Sequence, residues 1–136
     1  MALVGGGGAG NIAGSNPSGT GTSLNYIGDH AYALSGKIAV DNNETTLLQF
    51  STGNQYIVAT VTFAYASNSG DDFRYMISVD SQIVDEYHVN GGANAPDRNS
   101  RSILLPPFAV IKMSSQAVGH STARDQTCMV VGRVYS

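Results

Sequence analysis

Charge, cysteine and tryptophan are scarce in this chain of 136 residues. Only 12% of the residues are charged, about half the share found in an average globular protein. The formal net charge is −3, and so few basic residues cannot neutralise a phosphate backbone, which argues against direct nucleic-acid binding. The single cysteine, Cys128, excludes an intramolecular disulfide, and its apolar neighbours predict a buried, unreactive thiol.

Long apolar runs are missing as well. No stretch approaches the ~18 apolar residues of a membrane-spanning helix, so no membrane association is expected. The N-terminus has neither a basic segment nor a long apolar one, which predicts no signal peptide and synthesis in a reducing cytoplasm. A surface poor in charge and rich in hydroxyl groups fits a protein partly covered by neighbours, or simply a neutral β-protein.

Recognisable catalytic and metal-binding motifs are absent from the sequence. No serine lies in a G-x-S-x-G turn, and no residues have the H-x-x-x-H or C-x-x-C spacing of a zinc site. Asp29 and His30 suggest acid–base chemistry, but they lie where a strand is predicted to begin, and aspartate commonly bonds a turn there. We expect no catalytic residue, cofactor or metal, although calcium at acidic turns stays open for Asp41, Glu44, Asp71, Asp72 and Asp80.

The sequence does contain a series of short strand patterns separated by turns. The longest, Gln55–Ser67, alternates between a threonine-bearing face and an apolar stripe, and it predicts a central strand. Phe73–Val79 and Gln82–Val89 flank Asp80 and Ser81, which predicts a β-hairpin whose first strand has Ile77 and Val79 on its buried face. Further strands are predicted at residues 24–27, 31–40, 45–50, 102–105, 108–114 and 126–135.

Polar stretches and side-chain alternation predict the loops and the buried faces. Residues 90–101 and 115–125 are predicted to be long loops, and Pro106-Pro107 separates two strands. Most phenylalanine and tyrosine side chains fall on predicted inward faces, which favours core packing over a sugar-binding surface. Phe108 is one of these inward aromatic residues. On the strand predicted at residues 31–40, Leu34, Ile38 and Val40 are expected to share one face, with Gly36 as a bulge. The aromatic residues expected to be more exposed are Tyr26, Tyr32, Tyr56 and Tyr87.

These patterns predict an all-β fold. No segment keeps a helical period over three turns, and eight or nine short strands with regular turns indicate an antiparallel β-sandwich. A jelly roll is the first choice of topology. An immunoglobulin-like sandwich is the second, although its Cys…Trp…Cys pattern is absent. The sandwich domain is expected to span residues 24–136.

Residues 1–23 differ in composition from the rest of the chain. They are rich in glycine, serine, asparagine and threonine and have no charged side chain. Such a segment cannot bury enough apolar surface to fold alone, so it predicts a flexible, extended N-terminal arm. The arm is expected to dock on a partner through its larger apolar side chains, chiefly Leu3, Val4 and Ile12.

Four segments resemble a known family. They are LNYIGDHAY at 24–32, the hairpin RYMISVDSQIVDEY at 74–87, the LLPPF corner at 104–108 and VVGRVY at 130–135. Together they resemble small jelly-roll proteins that decorate or cement the capsids of tailed bacteriophages, particularly aquatic ones. The resemblance covers about residues 24–135. It implies a homotrimer on the capsid exterior of the virion, bound to the lattice of the major capsid protein.

Two other functional classes stay open. One is a carbohydrate-binding or receptor-binding β-sandwich module of a virion tail or a cell surface. The other is a small capsid protein, or another structural protein, in its own right. If the protein is structural, as a decoration protein or as a capsid protein, its low charge favours self-association, because the cores of protein interfaces are depleted in charged residues.

Overall fold

Ten β-strands make up the regular structure of the residues that are described. The computed structural model describes residues 24–65, 72–89, 97–119 and 121–135. The strands are β1 (Asn25–Ile27), β2 (His30–Leu34), β3 (Ile38–Val40), β4 (Thr45–Ser51), β5 (Tyr56–Tyr65), β6 (Asp72–Val79), β7 (Gln82–Val89), β8 (Asp97–Leu105), β9 (Val110–Val118) and β10 (Arg124–Tyr135).

Two antiparallel sheets form the sandwich. One has the order β1-β2-β10-β5-β8, with β3 also paired to β10, and is called the β10 sheet below. The other has the order β4-β9-β6-β7 and is called the β9 sheet. The chain folds back on itself as nested pairs, β6 with β7, β5 with β8, β4 with β9, and β2 and β3 with β10. Successive pairs alternate between the sheets, so the predicted jelly roll is confirmed.

The inward faces of the two sheets enclose one apolar core. The stripe predicted on β5 is inward, and Ile57, Val61 and Phe63 are fully buried. Phe63 stacks on Tyr75 of the opposite sheet, with ring centroids 4.5 Å apart. Ile77 is buried as predicted, whereas Val79 is only partly buried at the margin of the core.

The strand that organises the larger sheet is β10, whereas the sequence had indicated β5. β10 is the longest strand, with 12 residues, and it pairs with β2, β3 and β5. Its contact with β5 requires Gly132, because a Cβ there would lie 2.6 Å from Ile57 Cγ2 and 2.7 Å from the Val58 carbonyl oxygen. β5 remains an interior strand of that sheet.

The single strand predicted over residues 31–40 is divided in two. Gly36 has a φ of 71°, and the chain leaves the sheet between β2 and β3. Ser35 holds the break in place, since its N–H donates to the Cys128 carbonyl oxygen at 3.0 Å and its hydroxyl accepts from the Cys128 N–H at 2.8 Å. The shift reverses the face of β2, so Leu34 points outward and the predicted common face with Val40 is wrong.

Both predicted long loops are shorter than the sequence indicated. Strand β8 begins at Asp97, inside the predicted loop 90–101, and β9 continues to Val118 and β10 begins at Arg124, inside the predicted loop 115–125. Polar residues led to these errors. Several of them lie on outward faces, while Ser114 and Ser115 are buried in β9. Residues 90–96 lie outside the described part of the chain.

Other predictions concern residues that the structure does not describe. The arm, residues 1–23, and its proposed contact residues Leu3, Val4 and Ile12 lie outside the described residues. Asp71, one of the residues considered for calcium, does as well. Within the described ranges, no helix has the length and apolarity needed to cross a membrane.

Candidate functional site

Exposed apolar side chains concentrate on one surface of the sandwich. The described residues include twelve exposed large hydrophobic side chains, and eight of them lie on the outer face of the β10 sheet. We call this surface the apolar face. Its eight members are Ile27, Leu34, Tyr56, Val58, Leu104, Met129, Val131 and Tyr135. Scattered exposed hydrophobics are ordinary on proteins, but a contiguous group marks an interaction surface.

The strand register shows how the side chains of the apolar face are arranged. Residues directly opposite on antiparallel strands share a face, so each set of partners forms a row across the sheet. Read from β8 to β2, the first, second and third rows are Leu104–Val58–Arg133–His30, Ser102–Thr60–Val131–Tyr32 and Ser100–Thr62–Met129–Leu34. The first row contains an arginine and a histidine, and the other two rows contain no charged side chain.

Hydroxyl groups form the polar part of the apolar face. The Thr62 and Ser100 hydroxyls are 3.1 Å apart and hydrogen-bonded to each other. Neutral hydroxyls lose less free energy on leaving water than charged groups do, particularly when they are already paired. The second and third rows are therefore suited to burial against another surface.

Charged groups lie within the first row of the apolar face and beside the turn between β1 and β2. Arg133 Nη2 is 2.9 Å from Asp29 Oδ2, and His30 Nδ1 is 3.0 Å from Asp29 Oδ1. All three side chains are about half exposed, and the Asp29 carbonyl oxygen accepts a hydrogen bond from the Val134 N–H. Asp29 thus stabilises a turn where β2 begins, as the sequence suggested. The ion pairs are exposed, and such pairs contribute at most about 1 kcal/mol.

Two tyrosines extend the apolar face beyond the first row. Tyr56 and Tyr135 are cross-strand partners, and their rings stack with centroids 5.4 Å apart and planes 15° apart. Arg133 lies 6.0 Å from the Tyr135 ring centroid. Each ring covers one face of the other, and the two residues remain 39% and 40% exposed.

Side chains of the edge strands β7 and β8 contact each other and close one margin of the sandwich. The guanidinium of Arg101 lies 4.0 Å from the Tyr87 ring centroid and pairs with Asp85 at 3.5 Å. Tyr87 and Tyr26 were expected to be exposed, but both are partly buried against the core. Of the other two tyrosines expected to be exposed, Tyr56 is exposed and Tyr32 is half-buried on the outer face of the β10 sheet.

A groove of about 350 Å³ lies on the outer face of the β9 sheet. Glu44 accepts a hydrogen bond from the buried Ser114 hydroxyl at 2.9 Å and pairs with Lys112 at 3.5 Å. Met76 and Ile83 form the apolar part of its lining. This groove is therefore more polar and more charged than the apolar face.

Two of the acidic residues considered for calcium hold backbone groups with their carboxylates. Asp41 accepts from the Asn43 N–H, and Asp80 accepts from the Val110 N–H, each at 2.9 Å. His88 lies 3.9 Å from Asp72 on the neighbouring strand. In the part of the chain that the structure describes, no three His, Cys, Asp or Glu residues come together in a group that could hold a metal ion.

The thiol of Cys128 is inside the core, as predicted. Only 2% of the residue is exposed. Burial raises the pKa of the thiol above its usual range, and the hydrogen bond from the Met129 backbone offsets this only in part. The thiol therefore stays protonated near neutral pH and is a poor nucleophile.

Phe108 is the clearest site residue that sequence reasoning missed. The sequence placed it on an inward face, but it is the most exposed of the twelve large hydrophobics, at 73%. The signal available was Pro106-Pro107, which ends β8 and leaves Phe108 in the connection to β9. The apolar face also had a signal, since CMVV at 128–131 is apolar on both faces of β10.

Comparisons with known proteins find similar structures but no relative by sequence. No family model matches the chain, and no curated protein sequence matches it. A family 35 carbohydrate binding module from Clostridium thermocellum aligns with a TM-score of 0.40 and 12% identity, over 75% of this chain and 69% of its own. A protein of Bacillus endospore appendages, described as a novel family of disulfide-linked pili, aligns with a TM-score of 0.46 and 15% identity, over 79% and 88%.

These two structures are β-sandwich proteins, as this chain is. Neither is described as a capsid protein, so the resemblance to phage decoration proteins has no counterpart in them. Likeness at this distance carries no argument about function, because one fold serves many functions. The function of this chain has to be argued from its own surface.

Proposed function

We propose that this protein is a non-enzymatic structural subunit of a virion that decorates or cements the major capsid protein lattice of a phage head. The observation that carries the proposal is the apolar face, which has eight exposed hydrophobic side chains. The segments that resemble phage decoration proteins supply the identity of the lattice. In this proposal the protein is made in the host cytoplasm and lies on the capsid exterior.

The size of the apolar face suits a protein–protein contact. Four rows about 7 Å apart on four strands about 4.8 Å apart cover on the order of 500 Å². A stable interface buries roughly 800 Å² on each partner, so this face supplies more than half of one. The remaining area would come from adjoining loops and from the arm, residues 1–23, docking through Leu3, Val4 and Ile12.

The distribution of charge supports the same use. Val131 and Met129 lie in rows with no charged side chain, whereas Arg133 lies between Val131 and the Tyr56–Tyr135 pair and is itself paired with Asp29. The cores of interfaces are depleted in charged residues, as the rows of Val131 and Met129 are. Burying the uncharged rows strips water from few polar groups, so most of the hydrophobic free energy remains available for association.

Association as a homotrimer is part of this proposal. A small decoration subunit gains binding strength when several copies hold the lattice together, because each further contact forms at a high effective concentration. The low overall charge, 12% of residues, permits contacts between copies with little repulsion. Sedimentation equilibrium at micromolar concentration measures this state directly, and a monomer both alone and on the lattice would contradict it.

Replacing one central side chain tests the proposal. Val131→Lys should reduce binding to heads of the source phage that lack this protein by at least about tenfold, because it buries an unpaired charge. Val84→Lys is the matched control, since Val84 is similarly exposed, 53% against 46% for Val131, but lies on β7 of the other sheet. Occupancy is measured by cosedimentation and counted by electron microscopy.

Both variants place lysine at an exposed position, so thermal melting should stay close to wild type and show that the fold is intact. Full occupancy with Val131→Lys would contradict the proposed use of the apolar face. Equal loss in both variants would point to a general effect of added charge.

The second candidate is a carbohydrate-binding or receptor-binding module. The groove on the β9 sheet favours it, because Glu44, Lys112 and Ser114 converge on a space of about 350 Å³. Sugars are bound by such charged and hydroxyl groups together with apolar contacts. Glu44→Gln should then abolish binding on a glycan array, whereas Val131→Lys should leave it unchanged.

A further inference from the structure

The connection between β8 and β9 presents an apolar tip. Residues 104–110, LLPPFAV, have no polar side chain, and we call them the Phe108 tip. Leu104, Phe108 and Val110 are exposed to 56%, 73% and 43%. Nothing in this segment can bond water through a side chain, so its shape and its hydrophobicity are what it offers to a partner.

Phe108 is held in an unfavourable backbone conformation. Its φ is 55°, in the left-handed region that phenylalanine rarely adopts and that glycine adopts readily. A non-glycine residue kept there at an exposed position indicates a constraint other than local preference, and such constraints concentrate at functional sites. Glycine would adopt this backbone conformation with less strain, so the fold by itself does not require phenylalanine here.

A clamp around Thr52 fixes the conformation of the tip. The Thr52 hydroxyl donates to the Pro106 carbonyl oxygen at 2.7 Å and accepts from the Ala109 N–H at 2.9 Å. The Phe108 N–H donates to the Gly53 carbonyl oxygen at 2.8 Å, and Thr52 is only 1% exposed. The backbone on both sides of Phe108 is thus bonded, and the ring projects from a fixed base.

We propose that Phe108 is the anchor residue of the lattice contact, inserting its ring into an apolar pocket on a neighbouring protein subunit. This rests on the proposed function. The tip is continuous with the apolar face, since Leu104 belongs to both and pairs with Val58. Aromatic side chains commonly dominate binding energy at interfaces, and a backbone fixed beforehand loses little entropy on binding.

A protein pocket suits the tip better than a membrane does. Residues 104–110 include no lysine or arginine, and the nearest cation along the chain, Lys112, is paired with Glu44. Asp80 lies beside the tip and accepts from the Val110 N–H. An acidic neighbour and a net charge of −3 disfavour approach to the anionic surface of most membranes.

Substitution of Phe108 tests the anchor. Phe108→Ala should reduce affinity for heads of the source phage that lack this protein by at least about tenfold. Phe108→Leu keeps apolar bulk and should recover part of the loss. Phe108→Gly should also bind weakly while melting at or above the wild-type temperature, because glycine relieves the left-handed backbone. Val84→Ala, at a residue 53% exposed on β7, is the control that should bind as wild type.

The outcomes separate the anchor from the proposed function. Wild-type affinity of Phe108→Ala alongside weak binding of Val131→Lys would overturn the anchor and leave the proposed function standing. Wild-type affinity of both variants would overturn both. Flotation of the wild type, but not of Phe108→Ala, with phosphatidylcholine vesicles would show a membrane partner and overturn the protein pocket.

Discussion

Single residues set the closest approaches in this sandwich. Gly132 lets β10 lie against β5, and Thr52 closes the corner from which Phe108 projects. Neither role follows from hydrophobic pattern, because both depend on where a neighbouring strand passes. From sequence, Gly132 is one more glycine in an apolar strand, and Thr52 is a turn residue.

Gly132→Ala should destabilise the fold. The added Cβ would lie 2.6 Å from Ile57 Cγ2, 2.7 Å from the Val58 carbonyl oxygen and 2.9 Å from Ala59 Cα. Two of these atoms are backbone, so β5 itself would have to move, and overpacking of this kind costs about 1–3 kcal/mol. Urea unfolding measures the change.

The control for that prediction is Gly28→Ala. Gly28 has a positive φ, 58°, which Gly132 does not have, and no atom lies within 4 Å of the Cβ added at Gly28. Its cost should be limited to backbone strain, about 1 kcal/mol. Equal midpoints for Gly132→Ala and wild type would show that the two strands are further apart than described.

Cys128 should be unreactive in the native protein. Since burial raises the pKa of its thiol, a disulfide reagent at pH 8 should label the urea-unfolded chain quickly and the native chain only at the rate of unfolding. The folded state also keeps a proton that the unfolded state releases. The free energy of unfolding should therefore fall as pH rises above about 8.5, the usual thiol pKa. Cys128→Ala should lack this part of the pH dependence, and fast labelling of native protein would contradict the buried position.

Strands with a clear period of two were predictable from sequence. The alternation on β5 and β6 predicted their inward faces, and Asp80-Ser81 predicted the β6–β7 hairpin, in which both residues have positive φ. The faces of β2 and the extent of β8, β9 and β10 were not predictable in the same way. Their polar residues either face water or, like Ser115 and Gln126, lie inside the sandwich, so polarity did not mark the ends of these strands.

At the level of strands, the apolar face results from apolar residues on both sides of β10. Val130 and Cys128 face the core, while Val131 and Met129 face outward. A strand that is apolar on both faces is expected where both faces are covered. Within the described residues, only the inner face has a covering layer. The outer face is therefore where we infer a partner.

At the scale of the whole molecule, the sequence predicted the fold class, whereas the function has to be inferred from the surface of the folded protein. The jelly roll follows from the count and spacing of strands, but many functions share such sandwiches. What distinguishes this molecule is the position of its exposed apolar residues. That position depends on strand register, because a shift of one residue exchanges the two faces of a strand. The Leu34 prediction failed for this reason.

Electron cryomicroscopy of intact heads of the phage that we propose as the source tests the central claim most directly. The map should contain a ten-stranded jelly roll on the capsid exterior, with Val131 and Met129 covered by a neighbouring protein subunit. The turn at 106–109 should point into that subunit rather than into solvent. Heads without this protein, or a decorating jelly roll whose β10 sheet faces solvent, would contradict the claim.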